Sequence, residues 1–464
     1  MLYYGIQIGG IVDWYMGPIY FFLIIFLLKK TVKDGDEYER KLFSKGLIIK
    51  LFSALSIAFV YLFYYEGGDT IIYMHDANIM ASLFFDDINV FSDFLFNGLI
   101  DSESGSVSNW KHFFKVRGLY NNYFLYRNDE RAFFMVRLMG VVAIITNGSF
   151  IASGMVVGAF CYLGTWKIYK LFVEYYPSFR KQLSYTIIFI PSVMFWGAGV
   201  LKDPVTLGAL GFLMYYVHNI LKSRKVLISI IYIVIFSFLI ISIKPYILNA
   251  FIVGVGCWLL SNYMVKIQSA VFKALIFPIL LVVSIGAVFG LLSLFSGDTG
   301  KYSFDKALDE AALVQSDLKQ DYYGGHRFDI GSFEPTLSGV LGKAPIAIAT
   351  TLYRPFIWEA NNVFVMLSAL ESTVIIVFTF LAIFRIKLLN LQGVLLANPL
   401  LFFSFVFSLF FAFFIGLTSA NFGALVRYKI PLMPFYMSMV FILSNYSKLP
   451  KKVQEVLPTK GLVV

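Results

Sequence analysis

Charge is scarce in this chain. Only 14% of its residues are Asp, Glu, Lys or Arg, against roughly 25% in soluble domains, so a soluble globular protein is a poor fit. Cysteine is nearly missing: Cys161 and Cys257 are the two, and each lies in an apolar run. That leaves no basis for a disulfide framework or a cysteine metal site. The four histidines, His75, His112, His218 and His326, stand far apart. No two of them have the spacing of metal ligands on one helix. There is no internal repeat and no low-complexity tract. Nothing reads as a cleavable signal peptide, because the first apolar run, Ile11 to Leu28, leads into Lys29-Lys30 and reads as a retained span.

Apolar and aromatic residues are what the chain has instead. It is 59% hydrophobic, with 50 Phe and 29 Tyr, a composition suited to membrane spans with aromatic belts at their ends. The expected fold is all-α: a polytopic transmembrane helical bundle of about 11–13 spans, by the length a bilayer demands, forming one membrane domain over 1–464. Candidate spans are 11–28, 47–65, 149–172, 183–200, 204–221, 226–243, 245–262, 274–296, 360–384, 394–416 and 430–445. Residues 132–147 read as re-entrant or interfacial, since Arg137 interrupts them. If they do span, a second segment near 83–100 must enter the membrane too.

A net charge of +10 raises the question of nucleic acid. The basic residues are scattered between apolar runs, so no nucleic-acid partner is expected. Twenty-two of the 38 Lys and Arg fall on alternate connections, which marks that side as cytoplasmic. The N-terminus is then outside and the C-terminus inside. Two long outer loops follow, 66–131 and 297–358, the second ending in a short apolar piece, 344–353, expected along the interface.

The stretch Ile190–Leu221 carries the clearest interruption. Two apolar segments meet at Lys202-Asp203-Pro204, which reads as a helix start with Asp203 as N-cap and Pro204 in the first helical position. The segment GALG at 208–211 reads as helix packing. Five cations sit at span ends on the outer side: Lys202, Lys244, Arg354, Arg427 and Lys429. Pro204 and Pro245 open spans there, and Pro431 lies at the start of the last. Helix N-termini beside basic groups favour anions, and arginine suits phosphate. A lipid phosphate or pyrophosphate is the natural ligand; simple snorkelling to headgroups is the bland alternative.

The acidic counterpart is GGDTIIYMHDA, with Asp69, Tyr73, His75 and Asp76. Asp69 fits three roles: a base for an acceptor hydroxyl, a ligand for a divalent cation such as Mg or Mn, or a helix N-cap. Further on, Glu359 pairs with Arg354 or binds a sugar. Asn361 and Asn362 are costly in a membrane unless they face protein or water. Asp13 and Arg137 raise the same question.

The order of these elements resembles the GT-C glycosyltransferase superfamily. The residues that carry the likeness are Asp69 at the start of a large first outer loop, the segment PSVMFWGAGVLKD, and the ending NFGALVRYKIPLMPF. The resemblance implies catalysis on the non-cytoplasmic face with a polyprenyl-phosphate sugar donor. Asp69 then matches the first-loop acid, and Arg427 with Tyr428 the late basic motif. The layout is also similar to that of bacterial O-antigen and capsule repeat-unit polymerases, in which arginine stabilises a departing pyrophosphate. Together with the outer-face residues above, the expected site has Asp69 and Arg427 as catalytic residues and Asp76, Tyr73, Lys202, Asp203, Lys244, Arg354, Glu359, Asn361, Tyr428 and Lys429 as substrate-binding residues. Implied partners are a polyprenyl-linked sugar or glycan and the lipids of a bacterial inner membrane. A transporter of lipid-linked glycan is a second class, favoured if Lys202 and Asp203 lie at mid-depth. A scaffold with scattered outer charges is a third.

Overall fold

The computed structural model describes residues 2–3, 6–98, 124–264, 328–331 and 337–449. The expected span 274–296, the middle of the first outer loop, most of the second, and His112 and His326 lie outside them. A short antiparallel pairing of Leu2–Tyr3 with Ile6–Gln7 comes first, and the rest is helical. In chain order the helices are α1 Ile11–Leu28, α2 Glu37–Phe59, α3 Asp69–Asp86, α4 Ile88–Asn97, α5 Glu130–Ile145 and α6 Phe150–Tyr175. Then come α7 Arg180–Ile187, α8 Pro191–Trp196, α9 Lys202–Leu221, α10 Val226–Ile243, α11 Pro245–Met264 and α12 Leu337–Gly342. The last are α13 Ala344–Tyr353, α14 Val363–Ile386, α15 Leu388–Ala397, α16 Pro399–Thr418, α17 Phe422–Tyr428 and α18 Met433–Ser444. Seven of the described helices are long and apolar enough to cross a membrane: α1, α2, α6, α9, α10, α14 and α16.

Prolines explain where continuous spans failed to appear. The stretch 183–200 is two short helices and a turn, because Pro191 lacks an N–H and disfavours helix at Ile190 before it. Pro399 divides 394–416 in the same way. The last helix starts at Met433, not at Pro431, with Pro434 in its first turn.

The chain packs as two compact units. The first comprises Met1–Ile168 and Val193–Lys244; the second comprises Tyr169–Ser192 and Pro245–Val464.

In the first unit α3 packs on α5, α9 on α10, and α5 on α10. Helices α6 and α9 cross with their backbones touching: a Cβ on Gly211 would stand 2.1 Å from the Gly164 carbonyl oxygen. The GALG segment is therefore a packing surface, as its small residues suggest. Asp13 of α1 is buried and accepts from the Ser149 hydroxyl and the Ile151 N–H, both at 2.7 Å. It satisfies the N-terminus of α6 from a neighbouring helix. Arg137 does the converse, donating to the Leu95 and Phe96 carbonyls at 2.6 and 2.8 Å, the carboxyl end of α4.

In the second unit α16 is the centre, with α11, α13 and α18 packed against it and α14 on α18. Residues 344–353, the piece expected along the interface, form α13 and pack on α16. A Cβ on Gly416 would meet the Ala347 oxygen at 2.2 Å, and the Thr351 hydroxyl donates to the Ala412 carbonyl at 2.8 Å.

Candidate functional site

The first-unit cluster begins where α2 ends. A left-handed Gly68, at φ 97°, turns the chain into α3 and occupies the N-cap position itself. Asp69 is thus the first helical residue, not the cap. Its carboxylate sits half-buried in the favourable field of the helix N-terminus and accepts from the Tyr126 hydroxyl at 3.3 Å. One turn along α3, Tyr73 stacks on Tyr126 with ring centroids 4.6 Å apart. Burial first, then the Tyr126 hydroxyl for Tyr73 and the Asp69 carboxylate for Tyr126, hold both tyrosine hydroxyls above the usual phenol range. Both therefore stay protonated and act as donors.

Tyr126 owes its place to Asp76. That carboxylate is fully buried and accepts the backbone N–H groups of Leu125 and Tyr126 at 3.0 and 2.9 Å, with His75 Nδ1 at 2.8 Å from it. Asp76, expected at the substrate, is engaged in fixing this turn. Three residues on, Asp129 caps α5 by accepting from Arg131 and Ala132. Its second oxygen lies 3.6 Å from the Lys202 ammonium, which in turn lies 6.0 Å from the Tyr73 ring. Asp69, Tyr73, Tyr126, Asp129 and Lys202 therefore form one group, with Lys202 and Asp69 both partly exposed.

Asp203 differs from expectation. Helix α9 starts at Lys202 with Leu201 at the cap position, and the Asp203 carboxylate forms a buried ion pair with Lys244. In a low-dielectric interior an ammonium is the stronger partner. Neither of these two residues presents a free charge to an outer ligand.

In the second unit Arg354 follows α13, at a cis bond to Pro355. Its Nε lies 3.0 and 3.1 Å from the two Glu359 oxygens, and its Nη2 bonds the same carboxylate. The guanidinium sits 5.1 and 5.3 Å from the rings of Phe328 and Phe422. Glu359 also accepts the Phe356 N–H at 2.9 Å. Lys429 is buried and donates to the Arg354 carbonyl and the Ser372 hydroxyl, each at 3.1 Å. Burial pushes its ammonium down to about 8, opposed by Glu371. It is therefore a fastening for the Arg354 segment, not an outer anion ligand. Arg427 and Tyr428 are half-buried on α17, with the guanidinium 5.8 Å from the Tyr428 ring. Asn361 is exposed, and Asn362 caps α14 by accepting the Val365 N–H at 2.9 Å.

No family model, curated protein or solved structure matches this chain. What the site can do is accordingly read from its chemistry alone. The five cations fall into two sets, Lys202 and Lys244 in one unit, Arg354, Arg427 and Lys429 in the other. Among the described residues no three His, Cys, Asp or Glu side chains gather to hold a metal ion. A surface hollow of about 640 Å³ along α2, between Glu37 and Ile49, contains none of these residues.

Sequence reasoning missed four participants. Tyr126 carries no local signal. Asp129 was legible, since an aspartate before Glu130 and an apolar run is an N-cap pattern. Glu371 and Lys50 each stand alone in an apolar span, which is itself a sign of a polar task. Glu371 accepts the Ser192 N–H at 2.9 Å and its hydroxyl at 2.7 Å. Lys50 donates to two carbonyls of α8.

Proposed function

We propose that the chain is an integral membrane glycosyltransferase. It takes a sugar from a polyprenyl-phosphate or pyrophosphate donor at the outer leaflet of a bacterial inner membrane, during surface polysaccharide or glycoconjugate assembly. The proposal keeps the finer topology of eleven to thirteen spans, N-terminus outside and C-terminus cytoplasmic. One observation supports it above the others: in the first unit a half-buried carboxylate, Asp69, shares a cluster with a partly exposed ammonium, Lys202, and a neutral hydroxyl, Tyr126.

The chemistry needs those three types of group. An acceptor hydroxyl attacks the anomeric carbon, and its proton passes to the Asp69 carboxylate. A C–O bond forms there as the bond from that carbon to the phosphate oxygen breaks. The electron pair leaves on the lipid phosphate, whose growing charge Lys202 stabilises. Tyr126 donates to Asp69 and holds it oriented. Asp129 fixes Lys202 within reach. The phosphate-binding roles of Arg354 and Arg427 in the second unit rest on their expected place at outer span ends, on the fit of a guanidinium to phosphate and on the resemblance.

Two variants test the reading. Asp69→Asn and Arg427→Ala are expected to abolish glycan product in cells while membrane levels of folded protein stay normal. Unchanged product in both removes the enzyme reading.

A further inference from the structure

Lys202 begins α9 directly after the turn 197–201, and that turn is held by a group the proposed chemistry does not use. Lys50 lies midway along α2 and is 1% exposed. Its ammonium donates to the Val193 and Met194 carbonyls at 2.8 and 3.3 Å. Both lie on α8, and the Val193 oxygen also accepts the Gly197 N–H at 3.1 Å, so the ammonium and the turn meet on one carbonyl. A carbonyl has two lone pairs to share in this way, and a cation suits the carboxyl end of a helix.

The turn itself is seated on the same face of α2. A Cβ on Gly197 would stand 2.5 Å from the Lys50 Nζ, and one on Gly199, at φ 80°, would stand 2.6 Å from Ile57 Cγ2. Lys50, Ala54 and Ile57 are all buried, and at this spacing they line one stripe of the helix. A leucine would fill the place with less desolvation. An ammonium there is explained by the carbonyls that it meets.

We infer that Lys50 is a positioning residue: by tying down the end of α8 it fixes the 197–201 turn and so the place of Lys202 opposite Asp129. Only the link to phosphate rests on the function proposed above; the seat stands on its own geometry.

The test uses the full-length protein in lipid nanodiscs, with Lys50→Met and Lys50→Arg. Hydrogen exchange is read at amides 197–202, with Val226–Ile243 as reference. Undecaprenyl phosphate affinity is titrated by native mass spectrometry. Lys50→Met is expected to raise exchange in the turn about tenfold and to weaken the lipid phosphate about tenfold, the loss of one charged hydrogen bond. The reference helix stays unchanged. Lys50→Arg restores both, since a guanidinium also donates to carbonyls. If Lys50→Met does not accumulate, Lys50→Gln, whose amide donates to a carbonyl without a charge, should give a smaller change of both readouts in the same direction.

Unchanged protection of the turn overturns the inference. So does exchange that rises equally across the whole first unit in both Lys50 variants, or a loosened turn with full lipid affinity. A wild-type protein with no affinity for undecaprenyl phosphate sinks the functional reading instead, while exchange still decides the seat.

Discussion

The ammonium of Lys244 and the carboxylate of Asp203 are bound to each other inside the first unit, 41 residues apart in sequence. They tie the end of α10 to the first turn of α9, directly beside Lys202. Lys244 was expected to meet an outer anion and Asp203 to cap a helix and bind substrate, yet each is the other's partner. Removing one leaves an uncompensated buried charge. Lys244→Ala is therefore expected to cost about 3–5 kcal/mol. The paired variant Asp203→Asn, Lys244→Met should recover most of that loss. Thermal melting in detergent checks both, and an equal loss in the single and paired variants would count against the pair.

Asp13 offers a smaller, separable effect. Its carboxylate caps α6 from α1 through Ser149 and Ile151. Asp13→Ala should cost about 1–2 kcal/mol, the upper range for a lost cap, and leave glycan product per folded molecule unchanged. A large fall in product at normal folded level would give Asp13 a chemical role.

The crossing of α6 and α9 has no room for a methyl group. Gly211→Ala places a Cβ 2.1 Å from the Gly164 oxygen and 2.4 Å from its carbonyl carbon, both backbone atoms. The helices must separate, at about 1–3 kcal/mol. Lower yield of monodisperse protein is the expected readout; wild-type yield and melting would show that the crossing can relax freely.

Lys429 provides a pH dependence. Burial lowers its folded value to about 8 from 10.5, so between those values the unfolded chain holds a proton that the folded one lacks. Stability from this group is present above pH 10.5 and is lost as pH falls through about 8. The melting temperature of wild type minus that of Lys429→Met should rise from pH 7.5 to pH 10. A flat difference would show that Glu371 holds the lysine charged throughout.

Much of the helical layout was legible, and the reason is period and length. Ile11–Leu28 and Val226–Ile243 were read to the residue because apolar composition alone defines them. Prolines 191 and 399 were visible too, but the weight of apolar residues around them hid the breaks. Site residues were legible one by one and not in their pairings. Nothing local shows that Asp203 prefers Lys244 to its own helix, or that Asp76 reaches Tyr126 fifty residues away. Such partners are chosen by tertiary packing, so Asp203, Lys244 and Lys429, assigned to a ligand from the sequence, are bound to other parts of the fold.

The most direct test of the account is release of polyprenyl phosphate from lipid-linked sugar donors by the purified protein in nanodiscs, comparing wild type with Asp69→Asn. The account predicts release by wild type and a fall of about 100-fold or more in the variant, the usual worth of a positioned base. Equal release by the two proteins would contradict it.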